Sequence, residues 1–170
     1  MKIIYFFLLL LIHTSLFAYE NEDRVICALT SKVAKFTKNN NSKLNPYTIT
    51  VLHNKFGTLF TDIFKNVTIN GKDVKILYIE DIKNLQKTNI LFVFTTHINE
   101  LNQIFSSIKD KNILTISNMR GFAQRGGMVQ IYSQNQKLKI KINLKKVNEE
   151  DIYIHSALLR IASIVQGDKR

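Results

Sequence analysis

Cysteine and proline each occur once in this 170-residue chain, and tryptophan does not occur at all. A lone Cys excludes both a zinc ribbon and a disulfide framework within one chain. One Pro and six Gly exclude collagen-like and Pro-rich architectures. Acidic residues are also few: 13 Asp+Glu stand against 24 Lys+Arg, giving a formal charge of +11. What remains is 45% hydrophobic, and Ile, Leu, Val and Phe come in dense blocks that need burial. That composition excludes a disordered chain, and the length fits one compact domain.

The first eighteen residues have the three-part layout of a secretory signal peptide. Lys2 gives a basic start, Ile3–Ile12 is an uncharged apolar run, and His13-Thr14-Ser15 leads to a cleavage point after Ala18. The run is about ten residues, too short for a bilayer core that needs about 20. No Cys stands at the cleavage point, Cys27 lying further on behind Asp23-Arg24-Val25-Ile26, so it is not a lipoprotein processing site, and no second long apolar stretch follows. The expectation is a signal peptide at 1–18 and one domain at 19–170, exported to the periplasm, with no stable membrane insertion after cleavage. In that oxidising compartment Cys27 has two readings. It falls in a helical pattern with Ile26, Leu29, Val33 and Phe36, which favours a buried inert thiol; the alternative is an intermolecular disulfide.

Export also bears on the positive charge, because an exported chain does not meet chromosomal DNA. Nineteen of the basic residues are Lys and five are Arg, without the Arg forks and interleaved aromatics of a nucleic-acid binder. No nucleic-acid partner is expected; the functional use of the charge is attraction to anionic headgroups or an acidic partner surface. Lys137, Lys139 and Lys141 alternate with Leu138, Ile140 and Ile142, so a strand there shows its lysines to solvent.

Periodicity predicts helix over 22–38, a turn at Pro46, strand at Tyr47–Leu52 and helix at Gly57–Phe64. It continues with a turn at Asn70-Gly71 and strand at Val74–Ile79. Ile90–Phe94 reads as a strand buried on both faces, Ile98–Ile108 as a helix and Ile113–Ile116 as a strand. Met128–Ser133 and Lys137–Ile142, joined by a short polar link, read as an antiparallel hairpin, and Ile154–Val165 as a closing helix. The fold class is therefore α/β: a Rossmann-like sandwich with a mostly parallel central sheet, a C-terminal β-hairpin and a closing helix.

Chemistry is sparse. The loop from Arg120 to Gly127 could make an anion nest beside Arg120 and Arg125, but matches no nucleotide-binding pattern; Gly126-Gly127 also suits a tight turn. His53, His97 and His155 lack metal-ligand spacing, so no metal or other cofactor is expected. Ser117, Asn118 and His155 form no Gly-x-Ser-x-Gly elbow. Glu80-Asp81 and Glu149-Glu150-Asp151 read as acids near helix starts, favourable to the dipole.

The ordered segments Ile113-Leu114-Thr115-Ile116-Ser117, Gly121-Phe122-Ala123, Gly126-Gly127-Met128-Val129, Lys139-Ile140-Lys141-Ile142-Asn143 and Leu158-Leu159-Arg160-Ile161-Ala162 resemble the YfiR family of periplasmic regulators. They cover about a third of the chain in that family's order. The resemblance implies a small, often dimeric Rossmann-like domain with no enzymatic role. It implies a partner in the periplasmic sensor region of an inner-membrane diguanylate cyclase, or another membrane sensor, with control of cyclic di-GMP and biofilm formation. The alternative is a small-ligand-binding accessory module of a membrane receptor. On this basis Arg120, Phe122, Arg125, Gly126, Gly127, Asn143 and Arg160 are the candidates for partner or ligand contact. Redox-responsive relatives carry paired cysteines, which this chain lacks.

Overall fold

The computed structural model describes residues 22–95, 98–135 and 137–165. The expected signal peptide and His97 lie outside the described residues.

Helix α1 covers residues 22–35, and strand β1 (Thr37–Lys38) follows where helix was expected to reach residue 38. Strand β2 (Tyr47–Leu52) leads to helix α2 (Leu59–Phe64), then to strands β3 (Thr68–Ile69) and β4 (Lys72–Ile79). Next come β5 (Ile90–Val93), helix α3 (Ile98–Ile108) and β6 (Leu114–Ser117). The hairpin β7 (Val129–Gln134) and β8 (Lys137–Asn143) runs into helix α4 (Leu144–Glu149), then β9 (Tyr153–Ile154), helix α5 (Ser156–Ile161) and β10 (Ser163–Val165).

Eight strands form one sheet in the order β10-β8-β7-β6-β5-β2-β4-β3. It is parallel except where β7 meets β8 and β3 meets β4. The mixed α/β class with a mostly parallel sheet stands as expected. After β2 the chain places β4 on one side, then crosses to place β5 on the other. The strand order therefore reverses at β2, and a crevice opens beyond the carboxyl ends of β2 and β5.

Both sheet faces are covered, which explains the unbroken apolar run of β5. Ile90 and Phe92 point into one core with Phe60 and Phe64 of α2 and Ile26 and Val33 of α1. Leu91 and Val93 point into the other, with Leu101, Ile104 and Ile108 of α3. The period of two sets this division. Phe92 meets Phe60 edge-on at 4.9 Å, and Phe56 meets Phe94 at 4.6 Å between centroids, so α2 is fixed by aromatic packing.

Three expectations need correction. The closing helix is shorter than 154–165: α5 ends at Ile161, Ala162 is extended (φ −96°, ψ 151°), and Ser163–Val165 pairs with β8. The apolar spacing does not hold a helix there, because Ile161, which continues it, is 72% exposed. Second, α4 was not foreseen, since Val147 is its one fully buried side chain. Third, Glu149-Glu150-Asp151 lies at the end of α4, not at a helix start. Glu149 accepts from Lys146 Nζ at 2.5 Å, which holds its carboxyl below the usual range. Glu150 instead accepts the backbone N–H groups of Asp110 and Asn112, each at 3.1 Å. Asp81 does cap a turn, accepting from the N–H of Lys83 at 2.8 Å.

Cys27 is fully buried within the first core. That takes it out of reach of a second chain, so the intermolecular disulfide is not supported. Burial pushes its thiol up to about 12, with Asp23 adding to the shift and Arg24 opposing it. The native protein at pH 8 should therefore resist iodoacetamide and run as a monomer on non-reducing gels, with rapid labelling after denaturation. Fast labelling of the folded protein would contradict this placement.

Candidate functional site

The candidate residues converge on the loop 118–128, which leaves the carboxyl end of β6 and returns to start β7. The loop is wound on itself. Phe122 N–H donates to Met119 O at 3.2 Å, Arg125 N–H to Gly121 O at 3.1 Å, and Gly127 N–H to Phe122 O at 3.0 Å. Ala123 N–H donates to Gln130 Oε1 at 3.5 Å. These four amides are spent inside the protein and are not available to an anion nest. Gly121 and Gly126 have φ of +79° and +104°, the left-handed region that favours glycine.

Four buried polar side chains on the flanking strands clamp the loop. Ser117 Oγ donates to Val93 O at 2.6 Å and accepts from Met119 N–H at 3.0 Å. Thr115 Oγ1 accepts from Met128 N–H at 3.0 Å. Gln130 holds Ala123 as described. Asn143 Nδ2 donates to Ala123 O at 2.9 Å, its Oδ1 accepts from Lys146 N–H at 3.1 Å to cap α4, and its own N–H donates to Met128 O at 2.8 Å. Such groups are stable inside a protein because each is satisfied. The hydroxyl of Ser117 is thereby a structural tie.

The candidates now separate. Phe122 is fully buried in the second core, Gly127 lies beneath its ring, and Asn143 is 2% exposed, so none of the three can meet a partner directly. They shape the loop. Arg120 and Arg125 are exposed. Arg125 Nη1 donates to Arg120 O at 3.0 Å and lies across Gly121, leaving no room for a Cβ there. The two arginines border different crevices. Arg120, Asn118 and Gln124 line one of about 720 Å³ with Glu22, Tyr132 and Lys141. Arg125 and Gly126 line another of about 540 Å³ with Lys146, Glu149 and Glu150. Arg160 sits exposed on α5, and among the described residues no hydrogen bond or ion pair joins it to this loop.

A second polar group occupies the crevice at the strand-order reversal, and sequence spacing did not reveal it. His53, just past β2, bonds Glu100 of α3 through Nε2, and its Nδ1 lies 3.4 Å from Glu80. Thr95 Oγ1 donates to the other oxygen of Glu100. His53, Thr95 and Glu100 line about 720 Å³ with Lys55, Asn99 and Gln103. The arrangement ties β2 to the start of α3 and offers hydrogen-bonding groups to a small polar molecule. His53 and Glu100 are 47 positions apart, and only the crossover at β2 brings them together. The signal available in sequence was a single His ending a buried strand. Among the described residues no cluster of His, Cys, Asp and Glu is arranged to hold a metal ion. No helix there is long and apolar enough to cross a membrane.

A family model described as YfiR/HmsC-like matches residues 23–163. No curated protein matches the chain. A solved structure similar in fold is described as "the ABC domain in complex with L-Trp from Streptococcus pneumonia", with a TM-score of 0.54 and 14% identity. The match covers 70% of this chain and 55% of that one, so this chain spans about half the length of that neighbour. At such identity the likeness concerns the fold, which it supports as Rossmann-like.

Proposed function

The chain belongs to the YfiR/HmsC-like family, and from this premise we propose that it binds and represses the periplasmic sensor region of an inner-membrane diguanylate cyclase. The family is one of periplasmic regulators of cyclic di-GMP signalling, not of enzymes. The observation that carries the finer reading is the clamped 118–128 loop, with Phe122 buried beneath it and Arg120 and Arg125 exposed at its surface. A loop already held in one shape costs little ordering on binding. Guanidinium groups on it can make bidentate, charge-assisted bonds to carboxylates of a sensor domain.

Repression then works by differential binding. Moving a receptor from 1:99 to 99:1 requires about 5.5 kcal/mol of preference for one state, within reach of a standard interface of about 1,600 Å². We place the regulator in the periplasm as a homodimer, acting on cyclic di-GMP and through it on biofilm formation.

Deleting the gene should raise cellular cyclic di-GMP, and the wild-type gene should restore it. The Arg120→Ala/Arg125→Ala variant should be secreted and folded yet fail to restore it. Its affinity for the sensor region should fall about tenfold or more, since a hot-spot arginine is worth above about 1 kcal/mol. Unchanged cyclic di-GMP in the deletion strain would refute cyclase control. A second reading, a small-ligand accessory module, is favoured by the crevice at His53 and Glu100. It would gain if L-tryptophan, the ligand named for the solved neighbour, raised the melting temperature of the wild type but not of Glu100→Gln.

A further inference from the structure

At the opposite, amino-terminal edge of the sheet, a cavity of about 550 Å³ opens beside the Asn40–Lys43 turn and the segments leading into β5 and β6. Leu44, Leu85 and Ile113 give it an apolar wall, while Lys43, Lys87 and Lys111 place exposed ammonium groups around it. No carboxylate is among its lining residues. Among the described residues, none of these lysines is in an ion pair.

The walls are held in place by a lattice of asparagine side chains. Asn41 Nδ2 donates to Lys111 O at 2.8 Å and to Thr88 O at 3.2 Å, tying together the two segments that carry Lys111 and Lys87. Asn89 Nδ2 donates back to Asn41 O at 2.6 Å, and its Oδ1 accepts from Thr48 N–H at 2.8 Å. Asn39 Nδ2 adds bonds to Asn89 O at 3.0 Å and Asn112 O at 2.9 Å. The cavity is therefore preformed, and its volume lies within the roughly 300–1,000 Å³ of small-molecule sites.

We infer that this cavity binds a small amphiphilic anion: a carboxylate or phosphate head on an apolar body of several carbons. An inorganic anion would leave the apolar wall wet, and a neutral apolar molecule would make no use of three unpaired ammonium groups. Lysines are point charges on flexible stems, so they fix the sign of the head and leave its geometry open. The same chemistry exists in a free organic anion and in an anionic lipid. This site shares no residue with the 118–128 loop and stands whether or not that loop binds a cyclase.

Octanoate is the probe, with 1-octanol and acetate as its two halves, read by methyl NMR of the exported protein at Leu44, Leu85 and Ile113. Octanoate should shift these methyls saturably, and each half should bind at least about tenfold more weakly. Lys87→Gln/Lys111→Gln should weaken octanoate about four- to twentyfold, a few-fold for each exposed charge, and leave 1-octanol unchanged. Since both lysines are exposed, the fold should survive. Sedimentation with phosphatidylglycerol vesicles, not with phosphatidylcholine ones, lost in the same double variant, would assign the lipid source. Octanoate binding without vesicle binding would assign the free anion. The inference falls if octanoate gives no saturable shift at these methyls, if 1-octanol binds equally well, or if the double variant binds octanoate as the wild type does.

Discussion

Gly127→Ala should destabilise the protein by about 2–3 kcal/mol, the upper part of the usual range for inserting one methyl into a filled core. A Cβ at this position would stand 2.2 Å from the Phe122 ring, with two more ring atoms at 2.3 and 2.6 Å. The ring has no easy retreat: Phe122 is fully buried, and Phe105 packs against it at 5.8 Å between centroids. For a domain of this size each kcal/mol lowers Tm by roughly 2–4 °C, so a fall of about 5–10 °C is expected. Phe122→Leu, placed in the Gly127→Ala background, should recover part of the loss because it vacates the ring. Gly57→Ala is the control. Gly57 also has a positive φ, +55°, but open space where a Cβ would stand. Its cost should be backbone strain alone, about 1–2 kcal/mol, with no rescue from position 122. Additive effects at 122 and 127 in a double-mutant cycle would show that the ring and the glycine do not constrain each other.

This pair also shows what sequence could and could not reveal. Strand β2 and helix α3 have the expected bounds, Tyr47–Leu52 and Ile98–Ile108, because each carries an apolar pattern of one period from end to end. The hairpin β7–β8 was legible for the same reason. Chain segments without that pattern were not: α4 has one fully buried side chain, and β10 continues a spacing that looked helical. Sheet order was beyond local reasoning altogether, and with it the meeting of His53 and Glu100. At the candidate site the family motif drew attention to the loop 118–128, where the structure buries some of the motif residues and exposes others. Phe122, Gly127 and Asn143 recur in the motif pattern, but their burial makes them the means by which the loop keeps its shape. Of the set, Arg120 and Arg125 are exposed on that loop, with the Arg125 guanidinium folded back onto Arg120 O, and Arg160 lies on another element.

Polar residues within buried strands were the stronger clue. Thr115 and Gln130 each stand between two apolar residues, and Ser117 follows Ile116 at the buried end of β6; a polar group in such a place needs a partner. Here the partners are the backbone groups of the loop 118–128. Side chains of this kind mark a constrained loop from the amino-acid pattern alone, although not the direction in which its arginines point.

Asn143→Ala is the second large effect expected, about 2–4 kcal/mol. The α4 cap accounts for about 1 kcal/mol of that. Leaving Ala123 O buried without its donor accounts for about 1–3 more. Asn143→Ser separates the two, since a hydroxyl at the cap position can still accept from Lys146 N–H but is too short to reach Ala123. It should recover roughly the cap's share and no more. Hydrogen exchange should report where the rest is lost: the amides of Phe122, Arg125 and Gly127 should exchange faster in both variants, while those of β2 and β5 change only with global stability. Because Arg120 and Arg125 ride on this loop, the same variants should bind a partner more weakly with both arginines intact, and Asn143→Ser should show it even at temperatures where the fold is fully populated. If Asn143→Ala stays within about 0.5 kcal/mol of the wild type, or if the loop amides keep their protection, then Asn143 does not hold the loop, and its rigidity must come from the inward packing of Phe122 instead.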